Sequence, residues 1–231
     1  MTGEPRYLEK AERLIARCVH PDDDPEDIDP LDAENRWSYT VFLQALGKYL
    51  EYRADRGLVD AKYEYARAVL LNYAVWMSAN ERPYLDTPEK LEYPTETWAA
   101  QDLRKAAVLE FAARHTADAG ARSCFLARAD GFVDYAMATL TASATGRLTR
   151  PLVLLLAYGF QRPMLDVPVT ARTPLHPSES NAAAWNLGTP PRPPLPREPF
   201  TPMRQRLIKR LALAGAGVSA MALVAIALLI S

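Results

Sequence analysis

The chain has 231 residues and a formal net charge of −1, and 49% of its residues are hydrophobic, enough for one packed domain with appendages. The charge is uneven: residues 1–162 hold 20 Lys+Arg against 25 Asp+Glu, whereas residues 163–231 hold 7 against 3. No basic face with interleaved aromatic residues occurs in the first part, which argues against a nucleic-acid partner.

Charge continues from the N-terminus through Arg17, so no secretory signal is expected. The first predicted helix runs from Arg6 to Cys18 and ends at the acidic stretch Asp22-Asp23-Asp24-Pro25-Glu26-Asp27. That stretch lacks the glycine and terminal glutamate of a calcium loop and reads as a solvated turn. A second helix starts near Asp32, with Tyr39, Phe42, Leu43, Leu46, Tyr49 and Leu50 at helical spacing, and stops at Gly57. The third spans about Asp60 to Ala79. The fourth follows the Pro94-Thr95 turn, where Thr95 is a candidate cap and Glu96 suits the positive end of the helix dipole. The fifth follows Gly120. The sixth opens at Thr149-Arg150-Pro151, and its run Leu152–Phe160 is apolar on every side, which predicts a short, central, buried helix. No segment alternates with period two. The expected fold is all-α, built from antiparallel helical hairpins over residues 1–162.

Cys18 and Cys124 lie far apart and form no disulfide framework, so both are expected to be small, buried or half-buried residues in a reducing compartment. His20, His115 and His176 have no second ligand at i+3 or i+4, and neither a metal nor a cofactor is expected.

The polar-aromatic residues are densest across the loop-to-helix junction at Leu91–Lys105. Trp98 and Asp102 are four apart and share a helix face, with Tyr93 and Glu96 close by. An aromatic platform beside a carboxylate suits a saccharide: the ring stacks on the sugar's apolar face and the carboxylate accepts hydroxyl protons. Hydrolysis of a glycosidic bond needs two flanking carboxylates, and Glu96 and Asp102 are the local pair. The competing reading makes Trp98 a packing residue and Asp102 a partner of Arg104 or Lys105. Asn72 and Trp76 form a second pair at four-residue spacing, on the third helix.

The stretch Tyr93-Pro94-Thr95-Glu96-Thr97-Trp98-Ala99-Ala100-Gln101-Asp102-Leu103-Arg104-Lys105-Ala106, with the hairpins around it over roughly residues 34–162, resembles bacterial α/α-toroid proteins of the six-hairpin glycosidase type. The resemblance implies a helical toroid with a saccharide cleft at one mouth. The predicted helices form only part of such a toroid, which leaves binding, or assembly with a second copy, as the implied role.

Residues 163–202 contain eleven prolines, including Pro190-Pro191-Arg192-Pro193-Pro194-Leu195-Pro196, and with the basic flank to residue 206 they read as an extended spacer. From residue 207 the chain becomes an anchor. Leu211–Ile230 carries no charge over 20 residues. At about 1.5 Å per residue such a helix spans about 30 Å, the thickness of the hydrocarbon layer. Arg204, Arg206, Lys209 and Arg210 precede it and only Ser231 follows, so the positive-inside bias keeps the N-terminal domain cytoplasmic. The expectation is a single-pass, tail-anchored protein in the bilayer. Its helical domain serves as an interaction or scaffolding module for a protein partner; the alternative is a membrane-tethered carbohydrate-binding or carbohydrate-active protein.

Overall fold

The computed structural model describes residues 4–145, 148–158, 205–208 and 212. Among these residues the regular structure is helical and no β-strand occurs. The helices are α1 (Pro5–Cys18), α2 (Ala33–Arg36), α3 (Tyr39–Ala54), α4 (Ala61–Asn80), α5 (Glu96–His115), α6 (Ala119–Ala142) and α7 (Thr149–Tyr158). Short 3-10 turns at Pro25–Ile28, Tyr84–Asp86 and Pro88–Lys90 fill the connections. Residues 205–208 form one further helical turn.

The helix starts show which capping signals operate. The Asp60 carboxylate accepts from the amides of Lys62 and Tyr63, and Asp118 accepts from that of Ala121, so these two residues satisfy donors that a helix N-terminus leaves open. Thr95 stands at the N-cap of α5 without a capping side-chain bond, and Asp32 spends its carboxylate on the side chain of Asn35 instead. The expected single helix from Asp32 is broken: α2 ends at Arg36, and α3 begins after Trp37 and Ser38.

Helix α5 is the hub. It packs against α3, α4, α6 and α7, and it is buried over most of its circumference. Ala99, Ala100, Ala106, Ala107, Ala112 and Ala113 make this possible, because their small side chains let neighbouring helices approach from several directions. Pairings along the chain set the directions. Tyr63 meets His115 while Glu81 meets Lys105, so α4 and α5 are antiparallel; Gln44 meets Arg104 while Glu51 meets Arg114, so α3 and α5 are parallel. Between those two α3–α5 contacts, Gly47 lies against the Phe111 ring so closely that an added Cβ would overlap it. The main core joins Leu43, Leu46, Leu50, Val69, Leu70, Met77, Leu109 and Phe111. Full burial of each such side chain is worth about 1.5–3 kcal/mol.

Two further expectations need correction. Helix α7 is peripheral rather than central: Pro151 and Leu154 are buried against the α5–α6 side, whereas Leu152, Val153 and Leu156 are exposed in the described structure. Its bulky leucines and valines admit a neighbour on one face, whereas alanines admit neighbours all round α5. Both cysteines, Cys18 and Cys124, are exposed rather than buried.

No helix among the described residues is long and apolar enough to cross a membrane. The expected span Leu211–Ile230, all of it but residue 212, lies outside the described residues, as do Arg204, Lys209, Arg210 and the proline-rich stretch 163–202. Arg206 lies exposed in the turn at 205–208.

Candidate functional site

The junction at Tyr93–Lys105 folds into a closed structure. Trp98 is half-buried, packs edge-on against Tyr84 with ring centroids 5.3 Å apart, and donates its indole N–H to the Tyr93 carbonyl at 3.0 Å. Asp102 faces the interior with 0% exposure. One of its oxygens lies 3.0 Å from Lys105 Nζ, and both accept from the Tyr84 amide, at 3.3 and 3.2 Å. Glu96 is half-buried in the first turn of α5, and Tyr93 is 72% exposed. The face shared by Trp98 and Asp102 is therefore a packing face. Both Asp102 oxygens are engaged inside the domain, by the Tyr84 amide and Lys105, while Glu96 stands half-buried six residues earlier on α5.

Around Lys105 the structure holds a buried charge cluster. Its ammonium is fully enclosed and bonds Glu81 at 2.9 Å, Asp102 at 3.0 Å and the Arg82 carbonyl at 2.6 Å, and it sits 3.3 Å from the centre of the Tyr84 ring. Glu81 in turn accepts from the Tyr39 hydroxyl. One cation thus serves two carboxylates. Burial pushes the Asp102 carboxyl up to about 7 against the pull of Lys105 and of the Tyr84 amide, with the charge of Glu81 adding a smaller push. Perturbed carboxylates are frequent at functional sites, but this one is walled in.

A second polar set lies at the other end of α5. His115 Nδ1 pairs with the Tyr63 hydroxyl at 2.8 Å, its Nε2 lies 2.9 Å from Glu51, and Arg114 reaches the other Glu51 oxygen at 2.5 Å. Burial acts to raise the Glu51 carboxyl, but its bonds to His115 and Arg114 outweigh that and hold it below the usual range. His115 and Tyr63 are buried and Glu51 is half-buried, so this chain of side chains ties α3, α4 and α5 together. A third set, Glu12 with Arg53 and Lys62, fastens α1 to α3 and α4.

Among the described residues, an open polar-aromatic site lies elsewhere, at the C-terminal end of α4. Trp76 lines a hollow of about 350 Å³ together with Glu26, Asp29, Pro30, Leu31 and Asn80. An adjoining hollow of about 110 Å³ shares Pro30, Leu31 and Asn80 and extends to Glu81 and Tyr84, so the cleft runs from Trp76 to the roof of the buried cluster. The turn Pro25–Ile28 builds its outer wall: Asp24 caps the turn by accepting from the Glu26 amide, and Asp29 closes it in the left-handed conformation, φ 49°. An aspartate tolerates that conformation better than most side chains. Leu31 is left 43% exposed beside the cleft. The Trp76 nitrogen is covered, so the half-exposed ring offers carbon surface rather than its donor.

Of the expected pair on α4, Trp76 lines this cleft, but Asn72 does not share it. Its amide donates to the Asp23 carbonyl at 2.6 Å and fastens the acidic turn to the helix. Asn80, four residues beyond Trp76 on the other side, takes its place. Helical spacing alone leaves the two asparagines equivalent, and only the course of the 22–32 segment separates them. A third, apolar hollow of about 290 Å³ lies between Cys18, Val19, Ile28, Tyr39, Phe42, Leu43 and Tyr73. Among the described residues no three His, Cys, Asp or Glu side chains converge to hold a metal. The chain matches no known protein family, no curated protein and no solved structure.

Proposed function

We propose that this protein is a membrane-held, non-catalytic interaction module whose α-helical domain docks a partner in the Trp76 cleft. The observation that carries this reading is the contrast in commitment. The candidate catalytic carboxylate Asp102 is consumed by Lys105 and the Tyr84 amide, while the cleft presents Trp76, Leu31, Glu26 and Asp29 together on an accessible surface. An aromatic anchor with an apolar neighbour and a polar rim is the usual make-up of a recognition site. The membrane part of the proposal rests on the sequence: the uncharged run Leu211–Ile230 and the basic residues Arg204, Arg206, Lys209 and Arg210 before it. The domain then stands on the cytoplasmic side, on a proline-rich spacer.

The test uses the full chain. It should remain in the membrane pellet through high-salt and carbonate washes, because salt screens charges but leaves hydrophobic burial intact. Cross-linked partners recovered from detergent-solubilised membranes should be lost with Leu31→Asp or Trp76→Ala. Release by salt alone would remove the anchor, and an unchanged partner set in both variants would remove the cleft.

One observation favours a second reading. Trp76, Asn80, Glu26 and Asp29 in one hollow are the donor, acceptor and stacking groups that a saccharide ring uses. Titration of neutral oligosaccharides against the full chain, with quenching of tryptophan fluorescence lost in Trp76→Ala, would select it over a protein partner.

A further inference from the structure

The cleft and the proline-rich stretch of the same chain have complementary chemistry. Between residues 22 and 34 there are eight acidic residues and no lysine or arginine, and Glu26 and Asp29 of this segment line the cleft beside the carbon surface of Trp76, Pro30 and Leu31. The sequence PPRPPLPREP at residues 190–199 combines proline surface with two arginines, Arg192 and Arg197, against one acidic residue, Glu198. Extended proline-rich peptides are recognised by aromatic surfaces that take the rings and by acidic residues that take a flanking cation. Such a peptide loses little conformational freedom on binding, since proline already fixes φ.

We infer that residues 190–199 dock in the Trp76 cleft of their own chain, the rings of Pro193, Pro194 and Pro196 with Leu195 on Trp76 and Leu31, and Arg192 and Arg197 against Glu26 and Asp29. The inference rests on the cleft being a recognition site, and it adds that the site is self-occupied until a stronger partner displaces the segment. Reach does not limit the contact. Helix α7 ends at Tyr158, and residues 159–189 intervene. At about 3.1 Å per extended residue they exceed the width of a domain of this size. The tether also holds the segment at an effective concentration in the millimolar range, so a weak site is filled.

The full chain, purified in detergent with a photo-cross-linking residue at position 195, tests this directly. On illumination the cross-links should be intramolecular and fall on residues 26–31 or 76–80, with a yield that declines as salt is raised. Glu26→Lys with Asp29→Asn should lower that yield at least fivefold. Asparagine is chosen at position 29 because it accepts the left-handed backbone, and circular dichroism of the variant, expected to match that of the parent chain, checks its fold. Adding Arg192→Glu and Arg197→Glu to that variant should recover most of the yield. Absence of cross-links to the cleft, cross-links that ignore the charge changes, or cross-links only between two copies would each overturn the proposal. Loss of partner capture in Leu31→Asp without any cleft cross-link from position 195 would defeat self-docking while leaving the recognition site standing. A charge-sensitive cleft cross-link with partner capture unchanged in Leu31→Asp would do the reverse.

Discussion

Trp98 and Trp76 are each paired with a polar residue four positions away, at Asp102 and at Asn72 or Asn80, yet the two regions end in opposite states. At the start of α5 the carboxylate points into the core and meets a lysine and a backbone amide; the tryptophan closes over Tyr84. At the end of α4 the tryptophan stays beside a hollow because a tight acidic turn, rather than a helix, passes over that side of it. What decides between a packed polar pair and an open one is what the chain lays against the helix, and a turn built from prolines and aspartates leaves gaps that a helix fills.

The strongest way to break this comparison is to remove the cation from the closed region. Lys105→Ala leaves Glu81 and Asp102 buried without their counter-charge, and about 3–5 kcal/mol of stability should be lost. A urea melt of the full chain in detergent checks it; a loss below about 1 kcal/mol would mean that the cluster is open to water. Next in size is Trp98→Ala. A half-buried ring with one hydrogen bond should cost about 2 kcal/mol, less than the roughly 3–5 kcal/mol of a fully buried one, with no change in partner capture. A smaller effect is expected from acidity. Asp102 is pushed from the ordinary 3.8 to about 7 on folding, so the folded chain binds a proton that the unfolded chain releases. Its contribution is fully present below about pH 4, declines as pH rises through about 7, and is flat beyond. Asp102→Asn should abolish that slope, read as the difference in urea midpoint between pH 5.5 and 8. The smallest stability change belongs to the open region: Leu31→Asp, on an exposed side chain, should shift stability by under about 0.5 kcal/mol while removing partner capture.

The helices were legible because their apolar spacing and turn residues are local. Asp60 stands where the third helix is expected to start and caps α4, and Gly57, with φ 68°, closes the turn that follows the end of α3 at Ala54. Less legible was anything that depends on which helix becomes central. Leu152–Phe160 is the most hydrophobic run of the first 162 residues, yet the alanines of α5 make it the hub, because close approach on several sides requires small side chains more than it requires greasy ones. The site was half legible for a related reason. Trp76 stands out by residue type, but Glu26, Asp29 and Leu31 reach it from some fifty positions earlier, and Glu81 and Lys105 find each other across two helices. Pairings between distant segments leave no periodic trace in the chain.

Gly47 has a consequence for how this domain can change. Its missing methyl sets the separation of α3 and α5 midway between the Gln44–Arg104 contact and the Glu51–Arg114 contact. A side chain there acts as a wedge between two parallel rods that are pinned on either side of it. The rods can respond only by tilting, so one pin loosens as the other tightens. A single alanine at position 47 would therefore register at both polar contacts at once, and a compensating change is to be sought first at Phe111, the surface that receives the wedge.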